Sequence, residues 1–461
     1  MAITSLSMIN YSIKDDNFLT VYGNGAIIML INVTPKSSLV DEPVCIQISG
    51  LHPGQNVIVR AKRTTQSRTE SIHLSSHAKF HADDDGIVDL ARQAPIDGTY
   101  KNLDPMGLFW SLHIDHVDRI DETNTLSSTV GQVLQPQSFT LNVESYNQVI
   151  GSINITRSWL SNEIQRIPIR NNGLVATLFC PKSGYPRPGV IFVGGSEGGL
   201  NEFMPSLLAS HGFTTLALAY FGMEHLPKRC SVIPLEYVKT AIEWMQSRND
   251  VIPGWLGMHG TSKGSQLALL SGSFFEQIKA VISLSGGAIS TAGIVPWSDA
   301  KTLPPGWTYQ GKPIPYATPE NPVEVALECL RMLKAKEGNP YLKWYRQITS
   351  DPEIIKAATI PVERIQGPVM FISGQDDGDI SRYAQIGVDR LAELHHPFES
   401  THLSYPGGTH AIGIPYVRVT DAGRDGHAVA AASEDSWWKT KKFFVRSFSR
   451  SASGKEGDFH G

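Results

Sequence analysis

The stretch from Leu256 to Leu270 constrains the fold more than any other part of the chain. The apolar run Trp255 to Met258 has the length of a buried strand, Gly260-Thr261-Ser262-Lys263-Gly264 follows it, and Ser265 to Leu270 reads as a buried helix. A strand that meets a helix through Gly-x-Ser-x-Gly predicts a nucleophile elbow. Small residues on both sides let the backbone bend sharply, which leaves the Ser262 hydroxyl exposed above a sheet.

The chain around that turn alternates as such a sheet requires. Val190 to Val193 is a continuous apolar run, suited to a parallel strand covered on both faces. The loop Gly194-Gly195-Ser196-Glu197-Gly198-Gly199 follows, then an amphipathic segment through Leu207 and Leu208, and a strand from Phe213 to Tyr220. Leu235, Val238, Ile242 and Met245 recur at helical spacing before the elbow, and Ala280 to Leu284 supplies the next strand. Val323 to Leu333 returns to helix, Val369 to Ile372 is a strand, and the last strand ends at His402 to Tyr405. This order predicts a doubly wound, mostly parallel α/β sheet with its site at the carboxyl edge of the strands. From Gly287 to about Pro319 the chain is rich in Pro, Gly and Trp, and two readings stay open, a cap over the site and an ordinary surface excursion. Trp437, Phe444 and Phe448 fall on one helical face, which is expected to pack on the sheet.

The first third is different in kind. Short β-rich segments recur between turn signals: Pro43 to Ile48, Asn56 to Arg60 after Pro53-Gly54, and Ser138 to Val143 at period two. Without a strong amphipathic helix among them, they predict a β-sandwich. The expected division is an extension at 1–26, without periodicity and open to disorder, a sandwich at 27–160, an α/β domain at 161–450 and a frayed tail at 451–461. Two domains also suit a length of 461 residues.

Composition narrows the function classes. A hydrophobic content of 41% with 18% charged residues fits a globular protein, and a net charge of −4 points away from nucleic acid. Cys45, Cys180, Cys230 and Cys329 have no metal-ligand spacing, so neither a metal nor a disulfide framework is expected. Ala26 to Val33 is too short to cross a bilayer, and Asp15 and Asp16 precede it where a signal peptide would carry positive charge. An intracellular, reducing compartment is expected, the cytosol first, with mitochondrion and peroxisome left open; the closing Phe459-His460-Gly461 is not a Ser-Lys-Leu address. Asp83-Asp84-Asp85-Gly86 lacks the spaced oxygens and distal Glu of a calcium loop and is expected to be a solvated turn.

A serine hydroxyl is a weak nucleophile, so it requires a base and a carboxylate that orients the base. Asp376 and Asp377 follow the strand Val369 to Ile372, and His410 follows Gly407-Gly408-Thr409 after the last strand. The chain order Ser, Asp, His is that of α/β-hydrolases. Spacing leaves Asp376 and Asp377 both open, with Asp379 more remote. His402 lies inside a strand and His259 directly before the elbow, so both are expected to be structural, and nothing in its position makes His427 a base. The oxyanion donors are expected to be the backbone amides of Lys263 and of Ser196 or Gly195. No Lys-Ser/Thr pair follows the Gly-rich loop, so it is not read as a nucleotide site, and no cofactor is expected.

With these residues in place the chain resembles the family of type I acyl-CoA thioesterases and bile acid-CoA:amino acid N-acyltransferases, from about Ile27 to Phe448. In the first part the resemblance rests on Asp41 to Val44, Gly50 to Gln55 and Leu103 to Trp110. In the second it rests on Ala217 to Tyr220, Leu226 to Lys228, Leu235 to Tyr237, Gly260 to Gly264, Ile360 to Glu363 and Gly374 to Asp377. It implies a triad of Ser262, Asp377 and His410, an acyl-CoA substrate and no cofactor. Conjugating members typically carry Cys at the nucleophile position, so Ser262 implies hydrolysis of acyl-CoA to fatty acid and CoA. The alternatives are transfer to an amino acid and a general carboxylesterase activity of the dienelactone-hydrolase kind. Glu197 stands where the family's loop is mostly glycine, and the segment from Trp297 to Asn339 matches poorly. Neither chain length nor oligomeric state follows from the resemblance.

Overall fold

In the computed structural model of the protein, the residues described are 9–12, 18–21, 28–66, 70–119, 134–296, 303–335, 346–348, 351–420 and 425–452. They group into two compact units, Met1–Trp159 with Ile414–Ala430, and Leu160–Gly413 with Ala431–Gly461.

The first unit is two sheets on one apolar core. One sheet runs Ile9–Ser12, Phe18–Val21, Ile28–Thr34, Cys45–Ser49, Val88–Asp89. The other runs His113–Arg119, Glu70–His81, Asn56–Gln66, Gln137–Ser145, Gln148–Ser158, Ser37–Leu39. Alternation decides which side chains go in: Phe139, Leu141 and Val143 from one sheet meet Ile31, Ile46 and Ile48 of the other. The sandwich is as the turn spacing predicted. Within 1–26, Ile9–Ser12 and Phe18–Val21 form strands where the sequence shows no period, because a ladder edge satisfies backbone groups whatever the side chains. The division at 161–450 also meets a difference, since Ile414–Ala430 groups with the first unit. There the Val419 amide donates to the Trp110 carbonyl at 2.9 Å and Arg418 Nε to that of Leu112 at 3.1 Å. Those are backbone-directed contacts, which leave no pattern in side-chain sequence. Asp83 closes the acidic turn itself, its Oδ1 accepting the Ile87 amide at 2.8 Å and the Asp85 amide at 3.1 Å.

The second unit is an eight-stranded sheet of β1 (Ile164–Ile169), β2 (Ala176–Pro181), β3 (Arg187–Val193), β4 (Thr214–Leu218), β5 (Val251–Thr261), β6 (Ala280–Leu284), β7 (Val369–Gly374) and β8 (Ser400–Tyr405). Their order is β1-β2-β4-β3-β5-β6-β7-β8, with β1, β2 and β4 joined antiparallel and every pair from β4 to β8 parallel. The strand order reverses beside β3, so its loop and those after β5, β7 and β8 open on one edge. Helices α1 (Phe203–Ser210), α2 (Leu235–Gln246), α3 (Lys263–Phe274), α4 (Pro322–Ala335), α5 (Pro352–Ala358), α6 (Ile380–Glu393) and α7 (Gly426–Ala452) complete the α/β architecture. Helix α3 is buried from Lys263 to Gly272, which its apolar sequence anticipated. On α7, Trp437, Phe444 and Phe448 are buried as expected, and Phe444 and Phe448 lie against Gly257 of β5. The excursion after β6 forms a small sheet, Trp307–Tyr309 with Ile233–Pro234 and Lys312–Pro313, and Trp307 is part of the main core. The tail beyond Ala452, and 297–302 and 336–339 of the poorly matching segment, lie outside the described residues.

Candidate active site

Strand β5 ends at Thr261 and α3 begins at Lys263, so Ser262 alone makes the turn, with φ 54° and ψ −120°. A side chain on a residue so placed is strained, and the flanking glycines explain how the turn is possible. A Cβ at Gly260 would stand 2.2 Å from the Gly264 carbonyl oxygen, and one at Gly264 2.2 Å from that of Gly194. The Ser262 amide donates to the Leu284 carbonyl of β6 at 2.8 Å, anchoring the elbow to the neighbouring strand.

Ser262 Oγ lies 3.0 Å from His410 Nε2, and His410 Nδ1 lies 2.7 Å from Asp377 Oδ2. The carboxylate is buried, its side chain 9% exposed, while the imidazole is half open at 49%. Of the acidic candidates, Asp377 is the one on the histidine. Asp376 is held by its backbone, its amide donating to the Gly408 carbonyl at 2.9 Å, and Asp379 begins α6. His402 is structural as expected, bonded to Ser373 Oγ at 2.8 Å and Gln385 Oε1 at 3.1 Å. His259 is buried, stacked on Phe192, and burial pushes it down to about 3, so it is neutral. Its Nδ1 has no hydrogen-bond partner among the described residues. His427 belongs to the first unit, beside Trp110.

The Gly-rich loop is clamped by two side chains. The Tyr220 hydroxyl donates to the Gly194 and Gly195 carbonyls, at 3.0 and 3.2 Å, and Glu197 Oε1 accepts the Gly195 amide at 3.0 Å. Burial first, then the neighbouring Cys230 and Glu197, hold the Tyr220 phenol protonated and hence a donor. The Gly195 amide is therefore occupied. In a trans peptide the Ser196 amide points away from the Gly195 carbonyl, and so away from Tyr220. The Lys263 amide opens α3, where the first helical N–H groups have no partner within the helix.

Sequence reasoning missed the Lys263 side chain. It is buried beneath the elbow, where Nζ donates to Thr291 Oγ1 (2.7 Å), the carbonyls of Thr291 and Ala292 (both 2.9 Å) and Gln266 Oε1 (3.1 Å). It also sits over the Trp307 ring, whose Nε1 donates to the same Gln266 oxygen at 3.2 Å. Burial pushes the ammonium down to about 8. These bonds fasten the start of the excursion after β6 to α3, so it is neither a loose surface loop nor, at this point, a separate lid. A lone charged residue at the start of an otherwise uncharged helix was the available signal.

Among the described residues, one side-chain group outside the site has metal-ligand chemistry. His73, His116 and Asp118 place three ligand atoms within 4.8 Å of one another on the sandwich. The two imidazoles are stacked, with centroids 4.1 Å apart and planes 7° from parallel. An imidazole ligates in its own plane, so one ion cannot serve both rings as they stand, and the group carries no metal assignment.

Two family models match the chain: "Acyl-CoA thioester hydrolase/BAAT N-terminal region" over residues 41–171 and "BAAT / Acyl-CoA thioester hydrolase C terminal" over 233–449. The chain is 30% identical to the mouse acyl-coenzyme A amino acid N-acyltransferase 1, over 91% of its own length and 98% of the relative's. It is 28% identical to the mouse mitochondrial acyl-coenzyme A thioesterase 2, over 90% and 88%. Among solved structures, a putative dienelactone hydrolase from Klebsiella pneumoniae aligns with 61% of this chain and 97% of its own at 15% identity, with a TM-score of 0.37. Among the described residues no helix is long and apolar enough to cross a membrane.

Proposed function

The chain belongs to the family of acyl-CoA thioester hydrolases and bile acid-CoA:amino acid N-acyltransferases, and from that premise we propose that it hydrolyses acyl-CoA to a carboxylic acid and CoA through Ser262, His410 and Asp377. The observation that carries the reading is the continuous hydrogen-bond chain from Ser262 Oγ through His410 to Asp377, at 3.0 and 2.7 Å.

His410 Nε2 takes the hydroxyl proton as Ser262 Oγ attacks the thioester carbonyl. Asp377 holds the ring by Nδ1, which keeps Nε2 free to accept and stabilises the imidazolium. The oxyanion forms against the backbone amides of Lys263 and Ser196, which stabilise it by donating hydrogen bonds. Collapse breaks the C–S bond, and the imidazolium returns its proton to the CoA sulfur. Water, deprotonated by His410, then attacks the Ser262 ester and releases the acid. An oxygen ester is left readily to water, whereas a sulfur ester stays reactive toward amines, and Ser262 therefore supports hydrolysis over conjugation.

Free CoA release from an acyl-CoA panel, with and without glycine and taurine, tests the reading, and mass spectrometry of the products detects any conjugate. Ser262→Ala is expected to abolish release with an unchanged melting temperature. Retained turnover in that variant, or conjugate as the main product, would overturn it.

A further inference from the structure

Glu197 places a carboxylate beside the nucleophile without a cationic partner among the described residues. A Cβ at Gly195 would stand 2.9 Å from Glu197 Oε2, 2.9 Å from Ser262 Cβ and 3.4 Å from Ser262 Oγ. The carboxylate and the nucleophile thus flank the same glycine, no further apart than two of those contacts laid end to end. Oε1 is occupied by the Gly195 amide and, at 3.4 Å, by Asn201 Nδ2, both neutral donors. Among the described residues no Lys, Arg or His forms an ion pair with Glu197. Lys263 is turned away, its ammonium saturated by Thr291, Ala292 and Gln266.

We propose that Glu197 determines acyl specificity by rejecting acyl-CoAs with a second carboxylate close to the thioester, so that the substrates are uncharged acyl groups. The inference rests on the hydrolase reading above. A carbonyl in reach of Ser262 Oγ has its first few chain carbons within a few ångströms of the loop. A carboxylate two methylenes from that carbonyl, as in a succinyl group, cannot leave this neighbourhood. Two like charges at such a separation repel appreciably even where the surroundings are polar. A longer dicarboxylic chain carries its charge toward water and counter-ions, so the repulsion fades with length. Glu197 touches neither the proton transfer nor the oxyanion and is a specificity residue.

The experiment compares butyryl-CoA and succinyl-CoA, matched in carbon number, with adipoyl-CoA as a longer diacid. The wild-type enzyme is expected to prefer butyryl-CoA, with adipoyl-CoA penalised less than succinyl-CoA. Glu197→Gln retains an acceptor for the Gly195 amide and removes the charge, so the succinyl to butyryl ratio of kcat/KM is expected to rise about tenfold. Raising the salt concentration should narrow the same gap in the wild type, which needs no variant to fold. An unchanged ratio in Glu197→Gln together with a salt-independent gap overturns the proposal while leaving the hydrolase reading intact. Failure of the wild type to cleave butyryl-CoA or any longer acyl-CoA overturns that reading, and this inference falls with it.

Discussion

Each unit buries a cation on an aromatic face and binds it with backbone carbonyls, yet Arg157 and Lys263 serve different ends. Arg157 of the sandwich is 2% exposed, sits over Phe109, and donates to the carbonyls of Val40 and Glu42. Burial pushes it down only to about 10. A guanidinium so placed keeps its proton and acts as a permanent tie between the strand Gln148–Ser158 and the turn after Leu39. Lys263 sits over Trp307 in the same manner but is pushed down to about 8, and it ties down the segment beside the elbow. The same device therefore supports a scaffold in one unit and a site in the other. In the second unit the cation lies on the residue that directly follows Ser262, at the start of α3.

If the chemistry is confined to the second unit, His410→Ala should lower kcat/KM for an acyl-CoA by at least about ten-thousand-fold, whereas Asp376→Asn should change it less than about twofold, since Asp377 supplies the 2.7 Å bond to the imidazole. Steady-state CoA release measures both, and comparable losses in the two would break the assignment. Arg157→Met should act in the opposite sense. Orphaning two buried carbonyls costs on the order of 3 kcal/mol, visible as a lower denaturation midpoint, with kcat little changed in the protein that remains folded. A fall in kcat without loss of stability would show that the sandwich cation serves the site after all.

The finest test concerns the titration of Lys263. Its folded value, about 8, lies below the unfolded 10.5, so between those values the unfolded chain holds a proton that the folded one has released. The cost of burying the ammonium is full below pH 8, and stability recovers as pH rises from there toward 10.5. Cys230, which faces Lys263 and is pushed up to about 11 by burial, works against this trend above pH 9, the ordinary value of a thiol. The difference between wild type and Lys263→Met isolates the lysine. Wild-type melting temperature should gain on the variant between pH 8 and 9, and a constant difference would show that Lys263 does not titrate there.

Much of this was legible along the chain. Alternation at period two marked Ser138 to Val143, helical spacing marked Leu235 to Met245, and continuous apolar runs marked β3, β6 and β7. Such periods arise from the geometry of a single element, so one stretch of sequence suffices to show them. The elbow and the placement of acid and base candidates after successive strands were legible for the same reason. The fold that joins them had to bring Ser262 and His410 together across 148 residues and His410 and Asp377 across 33.

The choice between Asp376 and Asp377 was not a property of the residues' own strand. It depends on where the Gly407–His410 loop arrives, and spacing alone left it open until the resemblance favoured Asp377. The bond from the Gly195 amide to Glu197 depends on how one loop folds onto Glu197 and Tyr220. The role of Lys263 depends on Thr291 and Ala292, which follow the next strand. Sequence by itself determined the α/β architecture, the sandwich before it, the elbow and a short set of candidates, because each is written in local periodicity and turn chemistry. Only the tertiary structure decided which carboxylate meets the histidine, which amide is bonded to Glu197 and what surrounds the buried lysine, because those contacts form between loops whose meeting no local pattern records.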